Sequence, residues 1–458
     1  MQVLNAENRD WKQIFAANKI PIIASTLALT AGLTGAAVSN SIADSDKIIS
    51  GVRYEGQPLA GLNDTAAKNF FQAAANRKIH PLTFHYGSES FTINPSEINL
   101  TPQIDKAVAD AQSFGRGKDF LGNLGEQLNC FTAGRNVTLN ATYDENLLNQ
   151  KIDEIASKID TQPVNAVCYV SANGVEKIPG EIGKKLDRAK LAESLKTPLT
   201  TLNLPNNIDL TPEEIQPFIT TADIAPIDSI LGEYTTYYYP GARGDNIWLA
   251  ADSISNKILK PGWVFSFNDT VGPRSYAAGY QNAPVIINGK TEDGVGGGVC
   301  QVSSTLYNAI LLAGLTPVDR TPHFFPSHYV SAGRDATVAE DYIDFKFRND
   351  LPHNVYLTAH ATGSTLTVFV LGTKADLGGN TIEIETGGDS MNPSVYRVYY
   401  RDGQVVKDEF LHTDKYYDPK DFEDREEENS GGGGDFNRAD FQTDGGKNLH
   451  SCRDRRRY

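Results

Sequence analysis

The chain has 458 residues, too many for one ordinary domain, so two or three are expected. Its formal net charge of -15 argues against nucleic acid as a partner, because nucleic-acid-binding surfaces are basic. The four cysteines lack the CxxC or Cys/His spacing of a zinc site, and no motif indicates a metal or an organic cofactor.

An uncharged segment at residues 20–43 is long enough to cross a bilayer as a helix. Basic residues precede it and Asp44 and Asp46 follow it, so the positive-inside rule places residues 1–19 in the cytoplasm. A cleaved signal peptide is the main alternative. Both readings export the rest of the chain, and the first predicts a single-pass membrane protein whose main part is extracellular.

Residues 47–223 carry a repeated strand, turn and short-helix pattern. The repeats fall at 91–111 and 175–195, and a further strand-and-helix element falls at 51–75. Cys130 and Cys168 both lie in this region, and the sequence leaves open whether they form a disulfide. The proline-rich stretch 209–226 is typical of a linker.

Residues 227–372 predict a second domain of the α+β class. A helical pattern at 245–259 is followed by the helix from Cys300 to about Leu312, and alternating runs then predict antiparallel strands at 342–347, 355–361 and 365–371. The β-prone run Tyr237, Tyr238, Tyr239 fits a core strand and its edge better than a sugar platform. One central helix packed on antiparallel strands is therefore expected.

A small β extension is expected at 373–411, and residues 412–458 read as a disordered tail. An acidic run and four consecutive glycines in that tail cannot form a core. We therefore expect the chain after Leu411 to be dispensable for any activity.

A glycine-rich loop carries Cys300 to the start of the central helix. Gly297 and Gly298 let the backbone turn tightly and approach a ligand closely. A helix N-terminus lowers the pKa of a thiol and offers free N–H groups to an oxyanion. This placement favours a nucleophile over the common alternative, a small buried apolar cysteine.

The glycine-cysteine stretch, the motif at 261–268 and the Gly-Arg-Asp motif at 333–335 together resemble the VanW family of bacterial cell-envelope proteins, over roughly 227–372. The repeats at 47–223 similarly resemble the YoaR-like peptidoglycan-binding domain found beside VanW domains. A spacer without glycan binding is the alternative for this region.

The base and its orienting group are sought downstream of the cysteine. His323 matches the histidine of the family, whereas His328 falls where the family usually has none. Asp335 is the leading orienter and Asp344 the second candidate. The predicted catalytic residues are thus Cys300, His323 and Asp335.

A substrate-binding role is expected for Arg334, whose guanidinium suits a carboxylate, and for the glycines. Gln301, Ser303 and Tyr307 are expected to line the pocket by helical spacing. Arg243 and Asn246 resemble a polar motif of the family, although helix capping explains Asn246 more simply.

The resemblance implies a cell-wall enzyme, a cysteine-dependent L,D-transpeptidase-like acyltransferase acting on the stem peptides of peptidoglycan. The sequence does not separate transfer to an amine from hydrolysis. A non-catalytic, membrane-anchored peptidoglycan-binding or vancomycin-resistance accessory protein is the second hypothesis.

Overall fold

The structure, a computed structural model, describes residues 46–287, 290–340 and 342–418. The described chain forms two compact units, one of residues 46–163 and 182–216 and one of residues 164–181 and 217–418. The predicted membrane segment at 20–43 lies outside the described residues. No helix among the residues described has the length and apolar character that a membrane span requires.

Nine α-helices occur in the described chain: α1 (Asp64–Lys78), α2 (Ile104–Ser113), α3 (Phe120–Ala133), α4 (Glu145–Ile159), α5 (Arg188–Thr201), α6 (Thr221–Ile224), α7 (Ala242–Ile254), α8 (Phe267–Val271) and α9 (Val299–Leu312). The strands of the same residues, in chain order, are β1 (Val52–Tyr54), β2 (Gln57–Pro58), β3 (Leu82–Tyr86), β4 (Glu89–Ile93), β5 (Thr101–Pro102), β6 (Arg135–Asn136), β7 (Ala141–Thr142), β8 (Val167–Ser171), β9 (Gly174–Ile178), β10 (Gly183–Lys185), β11 (Asn207–Asp209), β12 (Glu213–Ile215), β13 (Ser229–Tyr237), β14 (Lys257–Leu259), β15 (Val264–Ser266), β16 (Asn282–Ile287), β17 (Lys290–Val295), β18 (Thr316–Asp319), β19 (Lys346–Arg348), β20 (Val355–Thr362), β21 (Thr365–Gly372), β22 (Thr381–Gly388), β23 (Pro393–Arg401) and β24 (Gln404–Thr413).

The first unit is built from short sheets with helices packed beside them. Its three-stranded sheets have the orders β2-β1-β6 and β11-β3-β4. Phe71 on α1 and Phe84 on β3 are fully buried, each at the centre of its own apolar cluster. The predicted α+β class, with strand–helix repeats in the N-terminal region, is confirmed.

The second unit is organised around α9, which packs on the antiparallel sheet β13-β21-β20-β14. Every residue of α9 from Gln301 to Leu311 is buried, so the helix is enclosed on all sides. Helix and sheet approach closely at Gly232, where a Cβ would stand 2.1 Å from the carbonyl oxygen of Ala309. The predicted central helix on antiparallel strands is therefore present.

The predicted linker at 209–226 is wrong in part, because this stretch is packed rather than free. Strand β12 pairs with β10, and Ile219 and Ile224 are buried. The β8–β9 hairpin, which the sequence placed in the first domain, belongs to the second compact unit. The predicted strand at 342–347 is shorter, because only Lys346–Arg348 pairs with a neighbour.

The β extension is a three-stranded sheet with the order β22-β23-β24. It continues through Thr413, and Asp414 and Tyr416 beyond it are 6% and 3% exposed. The predicted start of a disordered tail at residue 412 is therefore wrong for 412–418. Residues 419–458 lie outside the described chain.

Candidate active site

Cys300 is the second residue of α9, directly after the glycine-rich loop. Gly298 caps the helix with a φ of 108°, a conformation that favours glycine. A Cβ on Gly297 would stand 2.6 Å from the carbonyl oxygen of Ala283, so this position tolerates only glycine without movement. Cys300 is partly exposed, unlike the helix residues that follow it. The loop therefore delivers a thiol to the surface end of a buried helix.

Asn246 holds this loop in place from inside α7. Its amide nitrogen donates to the carbonyl oxygens of Gln281 (2.9 Å) and Gly297 (3.0 Å), and its amide oxygen accepts from the backbone N–H of Gln281 (2.8 Å). Asn246 is fully buried. The predicted helix-cap role for Asn246 is wrong, because the residue lies within the helix and secures the segment that precedes Cys300.

His323 and Asp335 approach Cys300 from the chain after α9. The imidazole Nδ1 of His323 lies 2.5 Å from Oδ2 of Asp335, and the backbone N–H of His323 donates to the same oxygen at 2.6 Å. The hydroxyl of Tyr329 lies 3.4 Å from Nε2 of His323. The thiol of Cys300 donates to the carbonyl oxygen of Val338 at 3.3 Å and is close enough to the imidazole for His323 to lower the thiol pKa. Cys300, His323 and Asp335 thus form one cluster of interacting side chains.

The charges of Cys300, His323 and Asp335 favour an ion pair between the thiolate and the imidazolium. Burial opposes ionisation of Cys300, but the hydrogen bond and charge of His323 lower the pKa of the thiol. Burial likewise opposes the charge of His323, but Asp335 and Cys300 raise the pKa of the imidazole to about 9. Against burial, His323 and Arg320 hold the pKa of Asp335 at about 2. Both shifts favour a thiolate beside an imidazolium, and Asp335 is ionised at neutral pH.

A buried network supports Asp335 from behind. Arg320 donates from Nη2 to Oδ1 of Asp335 at 3.0 Å and from Nε to its backbone carbonyl at 2.7 Å. The hydroxyl of Tyr416 donates to the same Oδ1 and accepts from the backbone N–H of Gly333 at 2.8 Å. Arg320 also pairs with Asp414 at 2.5 Å. The β extension and the residues after it therefore contribute directly to the site.

Sequence reasoning missed Arg320, Asp414 and Tyr416. Asp414 and Tyr416 lie beyond the motifs that carried the resemblance, and within a stretch interpreted as tail. The apolar and β-prone residues Val405, Val406, Phe410 and Leu411 and the aromatic Tyr416 were the available signal.

The N-terminus of α9 offers a donor for a negatively charged oxygen. The backbone N–H of Cys300 donates to no acceptor among the residues that the structure describes. The first N–H groups of a helix have no partner within the helix and carry partial positive charge. This N–H can therefore hold an oxyanion formed on a carbonyl that Cys300 attacks.

Gln301, Ser303 and Tyr307, expected to line the substrate pocket, are instead buried and engaged in internal contacts. Gln301 donates to the carbonyl oxygen of Tyr237 at 2.9 Å, and Ser303 donates to that of Ala336 at 2.6 Å. The Tyr307 hydroxyl lies 2.8 Å from Nε2 of His412. These three side chains hold α9 in the unit and have no surface to offer a substrate.

Arg334 and Asp344 also lie apart from the triad. Arg334 donates to Oδ1 of Asn308 at 2.6 Å and stacks on the ring of Tyr234. Asn308 follows Cys300 by eight residues, about 12 Å along a helix. Asp344 accepts from the backbone N–H of Asn268 at 2.9 Å, at the start of α8. Neither residue touches the histidine or the thiol in this geometry.

The tyrosine run at the end of β13 has one residue in the core and two exposed residues. Tyr238 is 8% exposed, but Tyr237 and Tyr239 are 74% and 90% exposed. All three line a cavity of about 390 Å³ together with Arg243 and His328. His328 therefore faces this cavity, while His323 is bonded to Asp335.

Among the described residues, the other two thiols and the acidic side chains form no second centre. Cys130 and Cys168 are buried and free, and they belong to different compact units. Within the described ranges, no group of three or more His, Cys, Asp or Glu side chains is arranged to hold a metal ion.

Comparison with known families finds two matching regions in the chain. The family profile described as "VanW like protein" matches residues 242–371, and the profile described as "Putative peptidoglycan binding domain" matches residues 91–204. The first match contains the triad and ends before the β extension that supplies Tyr416. No solved structure matches the chain.

Two curated proteins are similar in sequence. The uncharacterized protein YoaR of Bacillus subtilis (strain 168) is 36% identical over 220 residues, which are 47% of this chain and 71% of YoaR. The Vancomycin B-type resistance protein VanW of Enterococcus faecalis (strain ATCC 700802 / V583) is 36% identical over 110 residues, 23% of this chain and 40% of that protein. The chain therefore belongs to the VanW family and carries a peptidoglycan-binding type of domain N-terminal to its VanW domain.

Proposed function

We propose that this protein is a cell-wall acyltransferase of the L,D-transpeptidase type, with Cys300 as its nucleophile. The observation that carries the proposal is the hydrogen bond between His323 and Asp335 beside Cys300, the residue that follows the glycine-rich loop and whose pKa His323 lowers. Thiol acyltransferases and thiol peptidases share this arrangement. The family relationship and the peptidoglycan-binding type of domain indicate stem peptides as the substrate class.

The reaction begins with attack of the Cys300 thiolate on a peptide carbonyl carbon. The carbonyl oxygen becomes an oxyanion, which the N–H of Cys300 stabilises. The imidazolium of His323 donates its proton to the leaving nitrogen, the C–N bond breaks, and a thioester remains. An amine of a second stem peptide then attacks the thioester, His323 takes the proton of that amine, and the thiolate leaves.

Asp335 keeps His323 oriented through both steps and stabilises its imidazolium form before the proton is donated and after it is regained, and its own proton count does not change. Because the Asp335 pKa is about 2, this carboxylate stays ionised wherever the thiolate–imidazolium pair forms. Water in place of the amine would give hydrolysis by the same residues. The first compact unit would hold the enzyme to its polymeric substrate, and a membrane anchor at 20–43 would place it at the outer surface of the cell.

The decisive experiment incubates the purified full chain with tetrapeptide muropeptides. Mass spectrometry should find cross-linked dimers and one released terminal amino acid for each bond formed. Cys300→Ala should remove both products while the circular dichroism spectrum is unchanged. Release without dimers would identify a hydrolase, and full activity of Cys300→Ala would contradict a thiol mechanism.

A non-catalytic role in wall binding is the second candidate, supported by the peptidoglycan-binding match at 91–204. It predicts that Cys300→Ala retains every property of the wild-type protein, including sedimentation with isolated cell walls. The same pair of proteins therefore separates the two candidates.

A further inference from the structure

Arg243, at the edge of the candidate active site, has no counter-ion among the described residues. It is the second residue of α7 and is half-buried. No described residue accepts a hydrogen bond from it or forms an ion pair with it, whereas Arg320 and Arg334 nearby in the same unit are both engaged. A cation withdrawn from water without a partner is costly, so its position indicates an anionic ligand.

Packing places Arg243 against the loop that delivers the nucleophile. A Cβ on Gly298 would stand 2.9 Å from the backbone oxygen of Arg243 and 3.0 Å from its Cγ. Burial is the main effect on the pKa of Arg243 and lowers it. Tyr329 and Cys300 are close enough to raise this pKa by their charge. The guanidinium therefore lies within electrostatic reach of the thiol.

The cavity lined by Arg243 has room for part of a substrate. Its volume of about 390 Å³ falls within the usual range of about 300–1,000 Å³ for small-molecule sites. Ala283 and Pro284, which also line it, pack on Gly297, so the cavity lies next to the glycine-rich loop that carries Cys300. Asp293 is a carboxylate on the lining, but it forms no ion pair with Arg243.

We propose that this cavity is the subsite for the terminal residue of the donor peptide, and that Arg243 binds the free carboxylate of that residue. The inference rests on the proposed function and adds a specificity. A carboxylate fixed beside the nucleophile brings the last peptide bond of a chain to Cys300 and excludes bonds in the interior of a peptide. Arg243, and not Arg334, is the carboxylate-binding residue.

The test compares a stem tetrapeptide that has a free terminal carboxylate with the same peptide as its terminal amide. A charge-assisted hydrogen bond contributes about 1.5–3 kcal/mol, which corresponds to about 10- to 100-fold in kcat/KM. The wild-type chain should prefer the acid by this factor. Arg243→Gln should lose the preference, mainly through KM for the acid, and Arg243→Lys should recover part of it.

Arg348→Gln is the matched control, because Arg348 is an exposed arginine paired with Asp350 in the same compact unit. It should keep the wild-type preference. An unchanged acid-to-amide ratio in a folded Arg243→Gln protein would overturn the proposal.

A second arm needs no turnover. The acid peptide should protect Cys300 of the wild-type chain from iodoacetamide at about tenfold lower concentration than the amide, and Arg243→Gln should remove that difference. Absence of turnover with intact protection would refute the transferase and leave the carboxylate subsite standing. Equal protection by both peptides in the wild-type chain would refute the subsite.

Discussion

The hydroxyl of Tyr416 donates a hydrogen bond to Oδ1 of Asp335, across 81 positions of sequence. The two side chains are 3% and 1% exposed, so the contact is shielded from water. A residue beyond the last strand of the β extension thus fixes the carboxylate that orients the histidine of the triad.

Tyr416→Phe should lower kcat about tenfold and leave KM nearly unchanged, because Asp335 loses a donor while the substrate surface is intact. The backbone N–H of Gly333 also loses its acceptor, which should cost about 1–3 kcal/mol of unfolding free energy. Steady-state kinetics and thermal unfolding measure both effects. Tyr400→Phe, which removes an exposed contact to Glu385 in the same sheet, is the control; equal losses in the two variants would show that Tyr416 has no special role.

Two truncations locate the end of the functional chain. A chain ending at Asp418 should keep wild-type activity, because all the contacts of the triad described above are made by residue 416. A chain ending at Leu411 loses Asp414 and Tyr416, which leaves the buried Arg320 without one partner. We expect a loss of at least about 100-fold in kcat and a lower melting temperature. Comparable activity of the two truncated proteins would show that the network is not required.

The pH dependence of thiol alkylation tests the ion pair. Cys300 should titrate below the ordinary thiol value, because His323 lowers its pKa, while burial raises the pKa of Cys168 to about 11 in the same molecule. Acyl transfer should rise with pH as the thiolate forms and fall again near pH 9, where the imidazolium of His323 loses the proton for the leaving group. Alkylation at each cysteine, followed by mass spectrometry, gives the first limb. A Cys300 that titrates with Cys168 would exclude the pair.

The two histidines of the segment after β18 should behave differently. His323→Ala should reduce kcat by about 100- to 10,000-fold, the usual range for loss of a general acid–base group, and should raise the alkylation pKa of Cys300. His328→Ala should leave that pKa unchanged, because His328 faces the cavity beside Arg243. An effect of His328→Ala on thiol titration would reverse the assignment.

The close approach of α9 to β13 should limit substitution at Gly232. Gly232→Ala forces a Cβ against the backbone of Ala309 and should destabilise the second unit by about 1–3 kcal/mol or more. Gly363→Ala is the matched control, because a Cβ there meets nothing within 4 Å. Denaturant unfolding of both variants measures the difference; a stable Gly232→Ala protein would mean that helix and sheet can separate without penalty.

The parts of this site that the sequence predicted are those with local signals. Cys300 follows a glycine run at the start of a helix, and His323 and Asp335 match motifs of the family. The sequence was therefore sufficient to select these three residues. The geometry now brings these three together, while their catalytic role stays a prediction. The roles of Arg320 and Tyr416 could not be predicted from the sequence, because each acts through a hydrogen bond to Asp335 that forms only in the folded chain.

The misread elements have local causes as well. The strand expected at 342–347 is shortened because the Asp344 carboxylate accepts hydrogen bonds from Ser266 and Asn268, which draws this stretch away from a regular ladder. Tyr239 lies beyond the last residue of β13, where the chain leaves the sheet, so a β-prone side chain ends in solvent. Propensity identifies residues that suit a strand, and tertiary contacts decide where the strand stops.

Oδ2 of Asp335 accepts both the ring Nδ1–H and the backbone N–H of His323. These two hydrogen bonds fix both the backbone and the ring of His323. A ring rotation that exchanges the two nitrogens must therefore break the hydrogen bond of the ring. Arg320 and Tyr416 occupy the other oxygen, and an ionised carboxylate has about four acceptor positions in all. All the hydrogen-bond acceptor positions of the Asp335 carboxylate are therefore occupied. It has none left for water or for a proton transferred from His323, so it serves the site as a fixed negative charge that holds the imidazole in one orientation.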